Sequence, residues 1–247
     1  MTEIMRMWIE IIFNLGYLIA IWGLVIAMAR RSVHVASQKR ELVRLFTLAF
    51  GLLALGDTGH VGFRALGYLL GDLQTTLTLL GRSMTLVGLG ALSTAITVTF
   101  FYVVMLVIWQ QRFDKPYGWF GLLLFGTAAV RLVLMMLPQN HWGRLTPPWP
   151  WTLYRNLPLM VQGLGAAYLI LRDAWATNDQ LFKRVGVLIL VSYAFYIPVI
   201  FFVRQMPLLG MLMIPKTLAY VGIAWLAYIW MQEPGSKKRP VMKTSTA

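Results

Sequence analysis

Six ionisable side chains interrupt apolar stretches that are long enough to cross a bilayer. Lys216 is the clearest example, because it stands within the apolar run from Met206 to Trp230. A charge inside a membrane is costly, so it usually marks a functional site or a paired structural site. The same reasoning applies to the other five, which are Asp57, His60, Arg64, Arg131 and Arg155.

Helical spacing places polar side chains on common faces, because residues three, four or seven positions apart lie on one side of an α-helix. Two such triads occur, Glu10, Asn14 and Tyr17 in one apolar run and Asp57, His60 and Arg64 in the next. Lys216 and Tyr220 are one turn apart, and Tyr196 shares a face with Ser192. These faces predict a shared polar interior.

Cations outnumber carboxylates in this predicted interior. The carboxylates are Glu10 and Asp57, and the cations are Arg64, Arg131, Arg155 and Lys216. Because an unpaired buried charge is costly, a closed salt-bridge network is expected to balance. An anionic ligand would complete the set, and guanidinium groups suit carboxylate and phosphate recognition. The alternative is structural ion pairing, with Arg side chains that reach toward the surface.

We therefore expect a site for an anionic small molecule or a lipid headgroup, used for sensing or transport. The predicted ligand-binding residues are Arg64, Arg131, Arg155, Asn156, Tyr196, Lys216 and Tyr220. The predicted supporting residues are Glu10, Asn14 and Asp57.

A different function would use Asp57 and His60 as an acid–base pair in an intramembrane enzyme that modifies a lipid. A histidine in a helical bundle is also commonly a hydrogen-bonded packing residue. We predict no metal site, because the three histidines fall in separate places. His34 lies in a predicted inner loop, His60 in a helix and His141 in an outer loop.

The composition indicates that membrane helices position these residues. Of 247 residues, 58% are hydrophobic and 13% charged, and the mean hydropathy is +0.66. A helical crossing needs about 20 apolar residues, strand alternation is absent, and the runs are too long for barrel strands. We predict an all-α, seven-helix transmembrane domain over residues 1–231. Its spans are Met7–Ala29, Phe46–Leu70, Ser83–Gln110, Trp119–Leu137, Thr152–Leu171, Val185–Phe202 and Met206–Trp230.

Lys and Arg residues are distributed unequally between the predicted loops. Fourteen lie after the first, third and fifth spans and in the C-terminal segment, whereas four lie in the remaining loops and the N-terminal segment. The positive-inside rule therefore places the C-terminus in the cytoplasm and the N-terminus outside. In this orientation the four interior cations lie in the outer half of the membrane, and the predicted pocket faces outward.

The remaining features limit the partners. The formal charge of +13 is spread between apolar spans, so the bilayer is the expected partner and nucleic acid is not. Residues 232–247 form a basic tail that we expect to be disordered or to lie on anionic lipid. We expect no soluble domain after the last span, in which case cytoplasmic signalling would need a separate partner protein. The absence of cysteine excludes disulfides and thiolate sites.

The longest predicted outer loop, Pro138–Trp151, contains four prolines and three tryptophans. Tryptophan in such a position usually anchors at the level of the lipid headgroups, which predicts an interfacial rim. A lid over the pocket is the alternative, since loops on a rigid scaffold often carry function.

Several motifs resemble those of an uncharacterised family of bacterial seven-helix membrane proteins. They are Gly56-Asp57 with His60 and Arg64, Leu137–Asn140 followed by Trp142, Tyr154–Pro158, Phe195–Val199 and Gly210–Thr217. The resemblance runs from the second span to the seventh. It implies a multi-pass protein of the bacterial cytoplasmic (inner) membrane in which the charged residues of these motifs belong to one shared design. It brings no established activity.

The layout also resembles that of microbial rhodopsins, with seven helices, an external N-terminus and a lysine in the last helix. That resemblance implies retinal as a Schiff base on Lys216, with a carboxylate counterion. Lys216 lies about ten residues into its predicted span, and the third span has no Asp or Glu. Asp57 would therefore have to act as the counterion. No other cofactor is predicted.

Overall fold

The computed structural model describes residues 3–33, 35–79 and 81–232. Within these ranges the chain forms seven long α-helices and one short β-hairpin. The helices are α1 (Glu3–Arg31), α2 (Ser37–Leu69), α3 (Leu86–Phe113), α4 (Gly118–Met136), α5 (Trp149–Ala176), α6 (Gln180–Phe202) and α7 (Met213–Gln232). The hairpin pairs β1 (Thr76–Leu79) with β2 (Arg82–Thr85) between α2 and α3. All of the predicted tail after Gln232 lies outside the described residues.

Six helical stretches are long and apolar enough to cross a membrane. They belong to α1, α2, α3, α4 and α6 and to the segment Pro207–Gln232, which contains α7. These stretches confirm a helical, multi-pass membrane protein. α5 is not among them, although it has 28 residues, because polar side chains such as Arg155, Asn156 and Gln162 interrupt its apolar sequence.

The hairpin corrects the predicted start of the third span. We expected no strands and a helix from Ser83, but Ser83 lies in β2 and pairs with Thr78. α3 begins only after Thr85, whose hydroxyl accepts a hydrogen bond from the Gly88 amide at 3.0 Å and so caps the helix. In the hairpin turn Gly81 has a φ of +74°, a conformation that favours glycine.

The seventh predicted span is divided into two parts. A 3₁₀ segment, Pro207–Leu212, precedes α7, which begins at Met213. Pro215 lies in the first turn of α7, where proline is tolerated because that part of a helix has no internal partner for its N–H groups. Lys216 is therefore the fourth residue of α7. It nevertheless lies about ten residues into the apolar span, which begins at Pro207, so the predicted position within the span agrees and only the start of the α-helix differs.

Helices α2 and α3 pack at close range. A Cβ atom on Gly56 would lie 2.9 Å from Thr97 Cβ and 3.1 Å from Thr94 Cα. A Cβ atom on Gly90 would lie 3.0 Å from His60 Cα. Small residues allow helix backbones to approach in this way in membrane proteins. The contact holds the polar face of α2 against Thr94 of α3.

The remaining helices close around this pair. α5 packs against α3, α4 and α6, and α7 packs against α1, α2 and α6. A small apolar cluster beside the hairpin contains Met84, Leu89, Met135 and Trp142. α3 begins beside this cluster, and the N-terminal parts of α3, α5 and α7 lie at the same end of the bundle, where they line one cavity. We refer to this end of the bundle as the hairpin end.

Candidate functional site

One cavity of about 410 Å³ lies in the half of the bundle nearest the hairpin end, and all seven helices contribute side chains to its lining. The lining contains every predicted ligand-binding residue and both candidate catalytic residues. They are Arg64, Arg131, Arg155, Asn156, Tyr196, Lys216, Tyr220, Asp57 and His60, with Asn14 beside them. The side chain of Glu10 lies outside the described residues. The polar faces of separate helices therefore meet around one space.

Asp57 is held in place by two hydroxyl groups. The Tyr17 hydroxyl donates a hydrogen bond to Oδ2 at 2.6 Å, and the Thr94 hydroxyl approaches Oδ1 at 3.4 Å. Thr94 also donates to the backbone carbonyl of Gly56 at 2.9 Å, which ties α3 to α2 at this level. The carboxylate thus has a fixed position on the cavity wall, with α1 and α3 on either side.

His60 lies one turn further along α2. Its backbone is covered by Gly90 of α3, where a side chain would not fit. The ring atom Nδ1 is buried and has no hydrogen-bond partner within the part of the chain that the structure describes. A buried polar atom of this kind is uncommon in native structures and calls for a specific explanation, such as a bound ligand or a catalytic role.

Arg131 is bonded to two neighbouring helices. Its Nε donates to the backbone carbonyl of Arg155 at 2.9 Å, and its Nη1 donates to the Thr99 hydroxyl at 2.7 Å. The residue is only 2% exposed. Arg131 therefore joins α4 to α3 and α5, and part of its hydrogen-bonding capacity is already used within the protein.

Arg155 is buried against an aromatic ring. The centre of its guanidinium lies 4.4 Å from the ring centre of Trp142, a distance suited to a cation–π contact. The Trp142 indole N–H donates to the carbonyl of Met135 at 3.0 Å, and the Trp142 carbonyl accepts from Thr85. Arg155 is 9% exposed, and its Nη1 is buried without a hydrogen-bond partner in residues 3–33, 35–79 and 81–232.

The position of Trp142 differs from our expectation for this loop. We predicted that the tryptophans of Pro138–Trp151 form an interfacial rim, but Trp142 is 6% exposed and belongs to the small apolar cluster at the hairpin end. A buried ring that supports Arg155 explains why a tryptophan stands at this position. Trp149 and Trp151 are partly exposed.

Lys216 faces two tyrosine rings. Its Nζ lies 4.6 Å from the ring centre of Tyr196 and 5.6 Å from that of Tyr220. The Tyr196 hydroxyl donates to Oδ1 of Asn156 at 3.1 Å, and the Tyr220 hydroxyl is 2.7 Å from that of Tyr102. The rings therefore have fixed positions, and the amine makes no hydrogen bond to a described residue.

Arg64 lies at the rim of the cavity and is exposed. It makes no hydrogen bond or ion pair with any residue that the structure describes. Its position on the same face of α2 as Asp57 and His60 agrees with the predicted helical spacing. Of the four cations, Arg64 therefore has the most contact with solvent.

No ion pair joins the charged groups of this cavity within the described part of the chain. Two ion pairs, Arg112–Asp179 and Arg172–Asp173, lie at the opposite end of the bundle. Lys216 and Asp57 are near enough to interact electrostatically, but no N–O distance between them is within 4.0 Å. One described carboxylate therefore shares the cavity with four cations and pairs directly with none of them.

A second cavity, of about 630 Å³, lies at the opposite end of the bundle. Its lining includes Arg112, Asp179, Arg184 and Trp230, and none of the predicted site residues. Arg112 is already paired with Asp179 at 2.6 Å, and its guanidinium lies 5.7 Å from the ring centre of Trp230. The Arg112 guanidinium of this second cavity is thus already engaged by contacts within the protein.

Sequence reasoning missed three residues that shape the site. Trp142 and Thr99 support the two buried arginines, and Tyr102 holds the Tyr220 hydroxyl. Thr99 and Tyr102 are about one turn apart on α3, but hydroxyl residues are common in membrane helices and give a weak signal. Trp142 belongs to one of the motifs noted in the sequence, but its type and position indicated an interfacial residue and not a support for Arg155.

No group of three or more metal-ligating side chains lies close together among residues 3–33, 35–79 and 81–232. His34 lies outside the described residues, and His141 is exposed in the loop after α4.

Comparison of the chain with protein-family models, with curated proteins and with solved structures found no match. The geometry of the cavity is therefore the basis for assigning a function.

Proposed function

We propose that this chain is a seven-span protein of the bacterial inner membrane that binds an anionic small molecule or a lipid headgroup. The ligand lies in the cavity at the hairpin end, and binding serves sensing or transport. In this proposal α5 also crosses the membrane, as the fifth of seven spans in chain order. The N-terminus is outside and the C-terminus is in the cytoplasm, so the cavity faces outward.

The packing of α5 supports its role as a span. It lies against three other helices, and its polar residues Arg155 and Gln162 are buried between them. Polar side chains in a spanning helix are expected to face the interior of the bundle in this way. The unequal distribution of Lys and Arg between the loops supports the proposed orientation.

The unpaired Nη1 of Arg155 is the observation that carries the proposal. A buried N–H on a charged group without an acceptor is costly, and an oxygen atom of a carboxylate or phosphate would remove that cost. Trp142 and the carbonyl contact with Arg131 hold the residue in place before any ligand arrives. Such preorganisation reduces the entropy lost on binding.

The other cations have different roles in the proposed site. Lys216 has an amine with three N–H donors and no hydrogen bond to a described residue, so it is suited to a second contact with the anion. Arg64 at the rim increases the local concentration of anions. Arg131 mainly positions Arg155, since its Nε is bonded to the Arg155 carbonyl.

Thermal unfolding in detergent tests this proposal. Inorganic phosphate and citrate should raise the Tm of the parent protein, because a ligand that binds only the folded state stabilises it. The rise should be absent in Arg155→Met and in Lys216→Met. Arg204→Met is a matched control, because Arg204 is exposed at the same end of the bundle but outside the cavity. Equal stabilisation of the parent and both cavity variants would contradict the proposal.

A short-chain anionic lipid distinguishes the two sources of the anion. Dihexanoyl phosphatidylglycerol should stabilise the protein at lower concentrations than phosphate if the natural ligand is a lipid headgroup. If phosphate and citrate stabilise the protein at concentrations as low as this lipid does, a soluble anion is favoured. Both arms use Arg155→Met to show that the effect arises in the cavity.

The unpaired Nδ1 of His60 favours a second candidate, an intramembrane enzyme that acts on a lipid. Asp57 and His60 line the same cavity and would form its acid–base pair. Lipid turnover by the purified protein should then be lost in His60→Ala and in Asp57→Asn. Turnover that survives both substitutions would exclude this candidate.

The position of Lys216 keeps a retinal protein as a third candidate. Its amine reaches the cavity, but the Asp57 carboxylate does not contact it directly. All-trans retinal added to the purified protein should then produce a visible absorption band that is absent in Lys216→Met. Without such a band there is no Schiff base.

A further inference from the structure

The cavity has two chemically different walls. We call the first the acidic wall; it is formed by Tyr17, Asp57, His60 and Thr94 from α1, α2 and α3. We call the second the basic wall; it is formed by Arg131, Arg155, Asn156 and Tyr196 from α4, α5 and α6. An ion alone would need only the basic wall.

The acidic wall has unused hydrogen-bonding capacity. A carboxylate accepts about four hydrogen bonds, whereas Asp57 receives one short bond from Tyr17 and one long contact from Thr94. Nδ1 of His60 has no hydrogen-bond partner among the described residues. Both groups line the cavity, so a hydrogen-bond donor on a ligand would find acceptors there.

The basic wall has unused hydrogen-bond donors instead of unused acceptors. Nη1 of Arg155 is an unused donor, while Oδ1 of Asn156 already accepts from Tyr196. The groups that remain free on this wall therefore donate hydrogen bonds, and they suit the oxygens of an anion.

Lys216 lies between the two walls. It contacts the ring of Tyr196 on the basic wall, and it interacts electrostatically with both Asp57 and Arg131. Because it does not contact Asp57 directly, the carboxylate is left free to accept a hydrogen bond from a ligand.

Asp57 also acts against a ligand that is only an anion. In a cavity of about 410 Å³ such a ligand lies near a carboxylate of the same charge, which weakens binding. A donor group at the other end of the ligand would turn that repulsion into an attraction. The volume lies at the small end of the range of about 300–1,000 Å³ typical of small-molecule pockets, so a short molecule fits.

We propose that the ligand is a short bipolar molecule with a carboxylate or phosphate on the basic wall and an ammonium or hydroxyl donor on the acidic wall. This inference rests on the proposed anion-binding function and specifies the ligand class for the same site. Arg155 would contact the anionic end, and Asp57 with His60 would contact the donor end.

Matched pairs of small molecules test the inference by thermal unfolding of the full chain in detergent. The pairs differ only by a terminal amine: propionate and β-alanine, butyrate and 4-aminobutyrate, valerate and 5-aminovalerate, and ethyl phosphate and phosphoethanolamine. In at least one pair, the amine should lower the concentration needed for half-maximal stabilisation about tenfold, a factor that corresponds to about 1.4 kcal/mol. The same comparison with 3-hydroxypropionate tests the hydroxyl donor.

Variants assign the two ends of the ligand. Asp57→Asn should remove the advantage of the amine and should bind the simple acid at least as well as the parent does, since the like charge is gone. Arg155→Met should lose both ligands, and Arg204→Met should keep the parent pattern. Stabilisation of Asp57→Asn by the simple acid also shows that this variant is folded. If Asp57→Asn does not fold, His60→Gln provides the second test, with a reduced advantage of the amine expected.

The outcomes separate the inference from the function on which it rests. Arg155-dependent stabilisation by simple anions, with no advantage for any amine or hydroxyl, overturns the bipolar ligand and leaves anion binding in place. An advantage that persists in Asp57→Asn and in His60→Gln also overturns the bipolar ligand. If neither these compounds nor inorganic phosphate raises the Tm of the parent, both proposals are overturned.

Discussion

The Arg155 guanidinium lies 4.4 Å from the ring centre of Trp142, and neither residue is more than 9% exposed. The contact links the loop after α4 to the first turns of α5. Because the cation is covered on one side by an aromatic ring, its free N–H edge is the part left for the cavity. The contact with Trp142 therefore orients Arg155 without using the donors that a ligand needs.

Substitution of Trp142 should weaken anion binding, although Trp142 does not itself contact the anion in the proposed site. Trp142→Leu removes the ring under Arg155, and a cation–π contact of about 1 kcal/mol corresponds to a loss of affinity of about fivefold. Trp142→Phe keeps a ring and should retain most of the affinity. Phosphate titration by isothermal calorimetry measures both. Equal losses in the two variants would indicate that Trp142 acts only through packing.

Arg131→Met should lower the stability of the protein itself. The change removes two buried hydrogen bonds from a charged donor, to the Arg155 carbonyl and to the Thr99 hydroxyl, and a hydrogen bond to a charged group contributes about 1.5–3 kcal/mol. Arg64→Met is the matched control, because Arg64 is exposed and has no hydrogen bond to a described residue. Thermal unfolding without ligand should show a clear decrease in Tm for the first and almost none for the second. The reverse order would refute the structural role of Arg131.

Gly56→Ala should disrupt the contact between α2 and α3. The added Cβ would lie 2.9 Å from Thr97 Cβ and 3.1 Å from the α3 backbone at Thr94, and overpacking of this kind typically costs about 1–3 kcal/mol. Gly62→Ala on the same helix meets nothing within 4 Å and should leave the Tm unchanged or slightly raised. Unfolding curves of the two variants side by side measure the difference. Similar behaviour of both would mean that the helices are not in close contact.

Tyr102 and Tyr220 should show strong coupling in a double-mutant cycle. Their hydroxyl groups are 2.7 Å apart and buried, so either single change to Phe leaves the other hydroxyl without this partner. The double change removes both groups, and its effect on the Tm should be smaller than the two single effects added together. Additive effects would show that the two hydroxyls do not depend on each other.

The sequence was sufficient to predict that the polar residues of separate helices line a common space, since helical spacing and the length of the apolar runs determine which side chains share a face. Asp57, His60 and Arg64 line the cavity together, as their spacing indicates. It was not sufficient to predict their partners. The link from Arg131 to the Arg155 carbonyl depends on the relative height of α4 and α5, which hydropathy does not specify.

The departures from the predicted elements have local causes. β1 and β2 are only four residues each, so their alternation is too short to be recognised beside the apolar run that follows. The break before α7 arises in an apolar stretch whose composition favours a span over its whole length. In both places hydropathy gives the location of a span but not the residue at which the helix begins.

The close contact between α2 and α3 has a mechanical consequence. Sliding one of these helices along the other would drive the Thr97 side chain into the backbone of α2 at Gly56, so the two move as one rigid unit. Asp57 and Thr94 then keep a constant separation whatever the cavity holds. Any widening of the entrance that admits a ligand must come from the more loosely attached neighbours of this unit, such as α1 or the 3₁₀ segment that precedes α7.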